Sequence, residues 1–156
     1  MYIRQATIQD IEQLIPLFDG YRVFYRKTTD LEGARAFLSE RLTKKDSTIY
    51  IAFAKPVLSG VEVADSNKAV GFTQLYPIFS SVSMEPMYIL NDLFIDPDYR
   101  GQGIGQSLIT TVKDLCRKEH QKGIVIQTEV TNPAQHLYER LGFKKDPDLH
   151  YFWATK

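Results

Sequence analysis

The stretch Asp96-Pro97-Asp98-Tyr99-Arg100-Gly101-Gln102-Gly103-Ile104-Gly105-Gln106 decides the reading of this chain. An apolar, strand-like run from Tyr88 to Ile95 leads into it. A helical pattern leads out, with Ile104, Leu108, Ile109, Val112, Leu115 and Cys116 recurring on one face. Glycines at alternate positions allow a tight turn and leave the backbone N–H groups unshielded. Those groups stand at a helix start, where the first donors lack intrahelical acceptors and the macrodipole is positive. Such a turn suits a diphosphate, and the Arg100 guanidinium adds a fixed positive charge beside it. The alternative is a plain Gly-rich strand-to-helix connection, for which two glycines usually suffice.

At 156 residues the chain is expected to form one domain spanning 1–156. Hydrophobic residues at 44% and charged residues at 24% fit an ordinary water-soluble fold. The 19 basic and 19 acidic side chains cancel, so the basic footprint of a nucleic-acid or membrane-surface protein is missing. No apolar stretch approaches the roughly 18 residues that span a bilayer. Met1 to Thr7 lacks the apolar core and cleavage site of a signal peptide. A single cysteine cannot form an internal disulfide, which fits a reducing cytoplasm. His120, His136 and His150 are scattered, so no metal site is expected.

Working outward, residues 1–6 alternate as a short strand. Thr7 or Asp10 then caps a helix carrying Ile11, Leu14, Ile15, Phe18 and Tyr21 at helical spacing. A second helix starts near Thr29-Asp30 and ends near Lys44, with Leu31, Ala34, Phe37, Leu38 and Leu42 inward. Strands follow at Thr48 to Ala54, Ala69 to Tyr76 and residues 87–95; Pro56 to Asn67 reads as a loop in which Val61-Glu62-Val63 extends either neighbour. After the Gly-rich helix come a strand from Gly123 to Val130, a short helix from Pro133 to Leu141 and a final strand from His150 to Ala154. The order β-α-α-β-β-β-α-β-α-β combines an antiparallel meander with one βαβ crossover, so the class is α+β with a mixed central sheet flanked by helices.

With that order and the Arg-Gly-Gln-Gly-Ile-Gly turn, the chain resembles the GCN5-related N-acetyltransferases, the GNAT superfamily, over nearly its whole length. Arg100, Gly103 and Gly105 fill the family's acetyl-CoA signature. Asn132-Pro133-Ala134-Gln135-His136-Leu137-Tyr138-Glu139-Arg140-Leu141-Gly142-Phe143 matches its second feature, an Asn before a short helix that carries a Tyr and ends in Gly-Phe. Among subfamilies it looks most similar to the diamine and polyamine enzymes and to small histone-acetyltransferase-like microbial members. It departs from the polyamine pattern at Asn91, where those enzymes carry an acid, and at Arg22 and Arg26, which do not suit a polycation. The resemblance implies acetyl transfer from acetyl-CoA directly to a primary amine in a ternary complex, with coenzyme A as product. Small amines, amino acids and lysine side chains are the acceptor classes, and a homodimer is the implied assembly.

Acetyl transfer to an amine makes demands that residues must meet. The amine has to lose a proton, since an alkylammonium with a pKa of about 10.4 is mostly charged at neutral pH. An oxyanion needs donors, and a departing thiolate benefits from an acid. The family pattern gives the cofactor arm to backbone groups of Leu93, Phe94 and Ile95, which pair with it as with a strand. It gives the diphosphate to Arg100, Gly101, Gln102, Gly103, Ile104, Gly105 and Gln106. Asn132, Ala134, Gln135 and Tyr138 flank the arm from the other side. Asn132 reads equally as an ordinary helix cap ahead of Pro133.

Tyr138 is the candidate acid, against a core-packing reading for an aromatic on a short helix. Asp92 is the candidate base, directly or through water, with Glu129 as a second; Asp92 in an ion pair is the alternative. Tyr25 and Arg26, in the run Tyr21-Arg22-Val23-Phe24-Tyr25-Arg26, join Asn91 and Asp92 as candidate acceptor contacts, or simply end a helix. Cys116 lies on an apolar helix face and reads as packing. Phe152 and Trp153 read as sheet packing or a dimer surface. A Rossmann domain is excluded because Gly-x-Gly-x-x-Gly would need glycine at Gln106 or Leu108, and a P-loop because no Lys-Ser/Thr follows the glycines. The remaining rival is a non-catalytic GNAT-fold module that binds acyl-CoA for regulation.

Overall fold

The computed structural model describes residues 1–54, 57–58, 61–62 and 67–155. Strand β1 (Tyr2–Gln5) leads through a 3₁₀ turn, Ile8–Asp10, into α1 (Ile11–Phe24) and α2 (Leu31–Lys44). Then come β2 (Thr48–Ala54), the two-residue strands β3 (Val57–Leu58) and β4 (Val61–Glu62), β5 (Lys68–Ser80) and β6 (Glu85–Ile95). Helix α3 (Ile104–Lys118), β7 (Ile124–Ile126) and α4 (Ala134–Arg140) complete the order. The main sheet runs β1-β2-β5-β6-β7, antiparallel except for the β6–β7 pair. That parallel pair, bridged by α3, is the expected crossover, and the α+β class stands. Among the described residues no helix is long and apolar enough to cross a membrane.

Both sheet faces are covered. Leu14, Phe18, Ala34 and Leu38 of α1 and α2 bury Ile51, Phe53 and Phe72 on one side. On the other, the α3 stripe of Ile109, Val112 and Cys116 covers Leu75, Tyr88 and Leu90, while Ile104 and Leu108 cover Ala52 and Val70. Asp10 fastens the start of α1: it accepts from the Thr7 N–H at 2.8 Å and from both Arg4 guanidinium nitrogens at 2.8 and 2.6 Å. Asp30 caps α2 through the Gly33 N–H, and Lys45 ends it in a left-handed conformation.

One irregularity in β6 controls the region of interest. Gln74 pairs with Asp92, but its neighbour Leu75 pairs with Leu90, so Asn91 is an extra residue with no partner across the strands. Such a bulge bends the strand and shifts its side-chain alternation by one. Tyr88 and Leu90 therefore pack towards α3, whereas Phe94, also even-numbered, packs with Phe18 and Phe72 towards α1. The β6–β7 pairing ends at Leu90–Ile126, at the bulge itself. Beyond it the two strands separate into a wedge.

Two expected strands are shorter or missing for reasons of pairing. The strand expected over Gly123 to Val130 stops at Ile126, because β6 has turned away and offers no further partner. The final strand expected over His150 to Ala154 does not form; Tyr151, Phe152 and Trp153 are 82–85% exposed, and among the described residues no strand lies beside them. Its one described side-chain hydrogen bond joins a His150 ring nitrogen to the Gln127 amide at 3.0 Å. Of the expected loop at Pro56 to Asn67, Val57–Leu58 pairs with Val61–Glu62, and Val63 lies outside the described residues.

Candidate active site

The wedge between β6 and β7 is a cleft. Its floor is β6 from Leu90 to Ile95 with Ile126 and Gln127, omitting Asp92. Tyr21, Phe24 and Tyr25 at the end of α1 form one wall; Asn132, Leu137 and Tyr138 form the other. Arg100 and Gly105 close the far end. Since β6 has no neighbour there, its backbone groups after Leu90 present a free strand edge, which an extended ligand can pair with.

At the closed end the glycine turn has the properties an anion needs. Gly101 and Gly103 sit at φ 75° and 78°, where other residues are strained, and a β carbon on either would point into open space. Among the described residues no side chain caps α3, and its first turn holds no acid, so the N–H groups of Ile104, Gly105 and Gln106 are left for a ligand. Ile104 offers only its backbone, because its side chain is core. Gly105 has a further role: a β carbon there would stand 3.3 Å from Leu137 Cδ2, so it lets α4 approach α3. Arg100 lies over the Phe94 ring, 5.6 Å from its centroid, and donates from Nε to the Ile95 carbonyl at 3.1 Å.

The two walls are tied together across the mouth. Asn132 Nδ2 donates to the Tyr25 hydroxyl at 3.3 Å, while its Oδ1 accepts from the Ala134 N–H at 3.0 Å and orders the start of α4. Both readings of Asn132, wall and cap, are thus compatible in one geometry. Arg26, left-handed at φ 65°, pairs with Glu129. Arg22 turns away to Asp19 at 3.2 Å. Gln135 leaves the cleft, donating to the Val130 carbonyl at 2.8 Å, and Gln102 and Gln106 are exposed.

Tyr138 stands on α4 with its ring edge-on to Phe143 and lines the cleft. Burial, with Tyr25 adding to it, pushes its phenol up to about 12. Lys113 holds the end of α4 by donating to the Leu141 carbonyl at 2.7 Å. Asp92 is only 2% exposed and sits behind the floor. Burial raises its carboxyl to about 6, opposed by hydrogen bonds from Tyr21 and Asn91. Asn91 Nδ2 donates to Oδ1 at 3.0 Å. Tyr21 bridges from cleft to acid: it lines the cavity, interacts with the Asp92 carboxylate and donates to the Asn91 carbonyl at 3.1 Å. Burial and that carboxylate hold the Tyr21 phenol far above its usual range.

Sequence reasoning placed Tyr21 on the apolar helix face and missed its contact with Asp92. The contact depends on Gly20, one residue earlier, whose missing side chain lets α1 settle onto Phe94. Leu90, Ile126 and Gln127 are further cleft residues that no motif marked, and Pro133 and Leu137, inside the second motif but given no role there, line it too.

Comparison with known proteins agrees with this geometry. A family model described as the acetyltransferase (GNAT) domain matches residues 46–145. An N-acetyltransferase of Bacillus subtilis strain 168, YhfO, described as uncharacterized, is 44% identical over 97% of this chain and 95% of its own length. A Haemophilus influenzae protein described as a probable acetyltransferase is 29% identical over 97% of this chain and 96% of its own. The crystal structure of another protein with that description superposes with a TM-score of 0.87 at 35% identity, covering 100% of this chain and 98% of that one.

Proposed function

The chain belongs to the GNAT acetyltransferase family, and from that premise we propose that it moves the acetyl group of acetyl-CoA directly to a primary amine inside the wedge between β6 and β7. The observation that carries the reading is convergence: an uncapped helix start and a free strand edge border one cleft, and a buried acid behind its floor is reached through Tyr21. The turn from Arg100 to Gln106 holds the diphosphate, and the edge of Leu93 to Ile95 aligns the arm. Acetyl-CoA supplies a thioester carbon when bound.

The remaining chemistry belongs to side chains. As the acceptor nitrogen attacks, its proton passes to Tyr21 Oη, and the Tyr21 hydroxyl turns from the Asn91 carbonyl to hand its own proton to the Asp92 carboxylate. Asp92 near 6 is matched to that task at neutral pH. Tyr138 keeps its proton and donates a hydrogen bond towards the leaving sulfur; with a phenol near 12, full transfer to a thiolate would be uphill by about 5 kcal/mol. Tyr25, Phe24 and the Arg26–Glu129 pair shape the acceptor entrance.

The same reading includes a homodimer, in which a second copy covers Leu149, Tyr151, Phe152 and Trp153. Sedimentation at micromolar concentration checks it; a monomer mass rejects it. The activity is tested by coenzyme A release over a panel of amino acids, short diamines and peptides. Release that depends on the amine is the expected result. Tight acetyl-CoA binding with no turnover on any amine would favour the non-catalytic module instead.

A further inference from the structure

Gln74 and Asp92 are direct partners across β5 and β6, and both are buried, at 0% and 2% exposure. Partners in register share a face of the sheet, with β carbons about 5 Å apart. Each has one buried oxygen without a hydrogen-bond partner: Oε1 of Gln74 and Oδ2 of Asp92. Buried polar atoms are rarely left so, and two acceptors opposite one another cannot satisfy each other as they stand. A proton or a rotated amide resolves the conflict.

We propose that the Gln74 carboxamide is the switchable partner that sets the charge of Asp92. With Asp92 ionised, the amide turns its Nε2 to donate to Oδ2, and the Tyr76 hydroxyl donates to Oε1. With Asp92 protonated, Oδ2–H donates to Oε1, and Nε2 donates to the Tyr76 oxygen, the contact present in the structure. Both orphaned oxygens find a partner in either state, and only one proton differs between them. Gln74 is thus a positioning residue, and the inference rests on the reading of Asp92 as proton acceptor. Other groups around the acid are Tyr21 from α1, itself beside Tyr25 and Tyr138, Asn91 from β6 and Tyr76 from β5. Tyr76 in turn faces Arg41 of α2 and Asp46.

The test is an NMR titration of the full chain, following the Asp92 carboxyl carbon and the Gln74 side-chain amide together. In the unmutated protein the Gln74 amide signals should shift with the same midpoint as Asp92, and Asp92→Asn should abolish that response. Gln74→Met, close in length and volume, should raise the Asp92 midpoint by about one pH unit, because the ionised form loses its donor. The acid limb of the pH–rate profile should move with it. A Gln74 amide indifferent to pH across the Asp92 transition, or an unchanged midpoint in Gln74→Met, overturns the proposal. The two NMR readouts do not require turnover. If they hold while Asp92→Asn keeps full activity, the pair stands and the role of Asp92 in the reaction falls.

Discussion

Gly20 lies so close to Phe94 that a β carbon on it would come within 2.9 Å of ring atom Cζ. The contact seats α1 against β6 and brings Tyr21 to Asn91 and Asp92. The Arg100 guanidinium lies over the same ring. Gly20→Ala must push ring or helix aside, and overpacking of this kind costs about 1–3 kcal/mol. Denaturant unfolding should show that loss. Turnover should fall as well, since Tyr21 moves with the helix; an unchanged rate would separate Tyr21 from the chemistry.

Gly103→Asp places a side chain and a negative charge where the backbone is left-handed and the helix start is bare. Acetyl-CoA binding measured by calorimetry should be lost, while the fold, checked by circular dichroism, persists. Retained affinity would mean the diphosphate sits elsewhere.

Tyr138→Phe keeps the ring against Phe143 and removes only the hydroxyl. The catalytic rate should drop about 10²-fold with cofactor affinity unchanged. A near-normal rate would leave Tyr138 as packing between α4 and the sheet.

Asp92 makes stability depend on pH in an unusual direction. Its folded pKa of about 6 stands above its ordinary 3.8, so the native state binds the proton more tightly than the unfolded chain. Stability should therefore fall as pH rises from about 4 through 6, by up to about 3 kcal/mol. Asp92→Asn removes that slope, so its advantage over the parent should be absent at pH 4 and full by pH 7.5. Urea unfolding at several pH values reads it directly. Equal slopes in both proteins would show that the acid ionises at no cost.

Arg26 and Glu129 form an exposed pair that links the end of α1 to the stretch after β7. Such pairs add little to stability. Arg26→Ala should leave the unfolding midpoint where it is and change KM across the amine panel more than kcat. A uniform KM would place the acceptor entrance away from this pair.

Much of this architecture is legible in the residues. The stripe from Ile104 to Cys116 buries one helix face, and the run from Thr48 to Ala54 forms the expected strand with both of its faces covered. The wedge was harder to read, and the reason is physical. Tyr88, Leu90, Asp92 and Phe94 are all buried, so they look like one uniform alternation, yet the bulge sends the first two to α3 and Phe94 to α1. A sheet covered on both sides hides such a switch, because either face rewards an apolar residue. The same event shortens β7, which has sequence fit for a longer strand and no partner for it. The terminal aromatics show the matching limit: strand propensity acts only where an edge is available. Among site residues, those marked by chemistry, such as Arg100, Asn132 and Tyr138, are found in or beside the cleft. Tyr21 and Gln74 matter through what lies opposite them, and nothing local announces that.

The extra residue at position 91 also decides which kinds of mutational change this chain can absorb. Replacing Asn91 alters one side chain at the cleft. Removing it would leave every other side chain on its present face, restore a regular ladder with β5, straighten β6 and let the pairing with β7 run on past Leu90 until the opening zipped shut. Tolerance at this point is therefore a matter of number before identity, and variants that differ in length here should be inactive even where every named side chain survives.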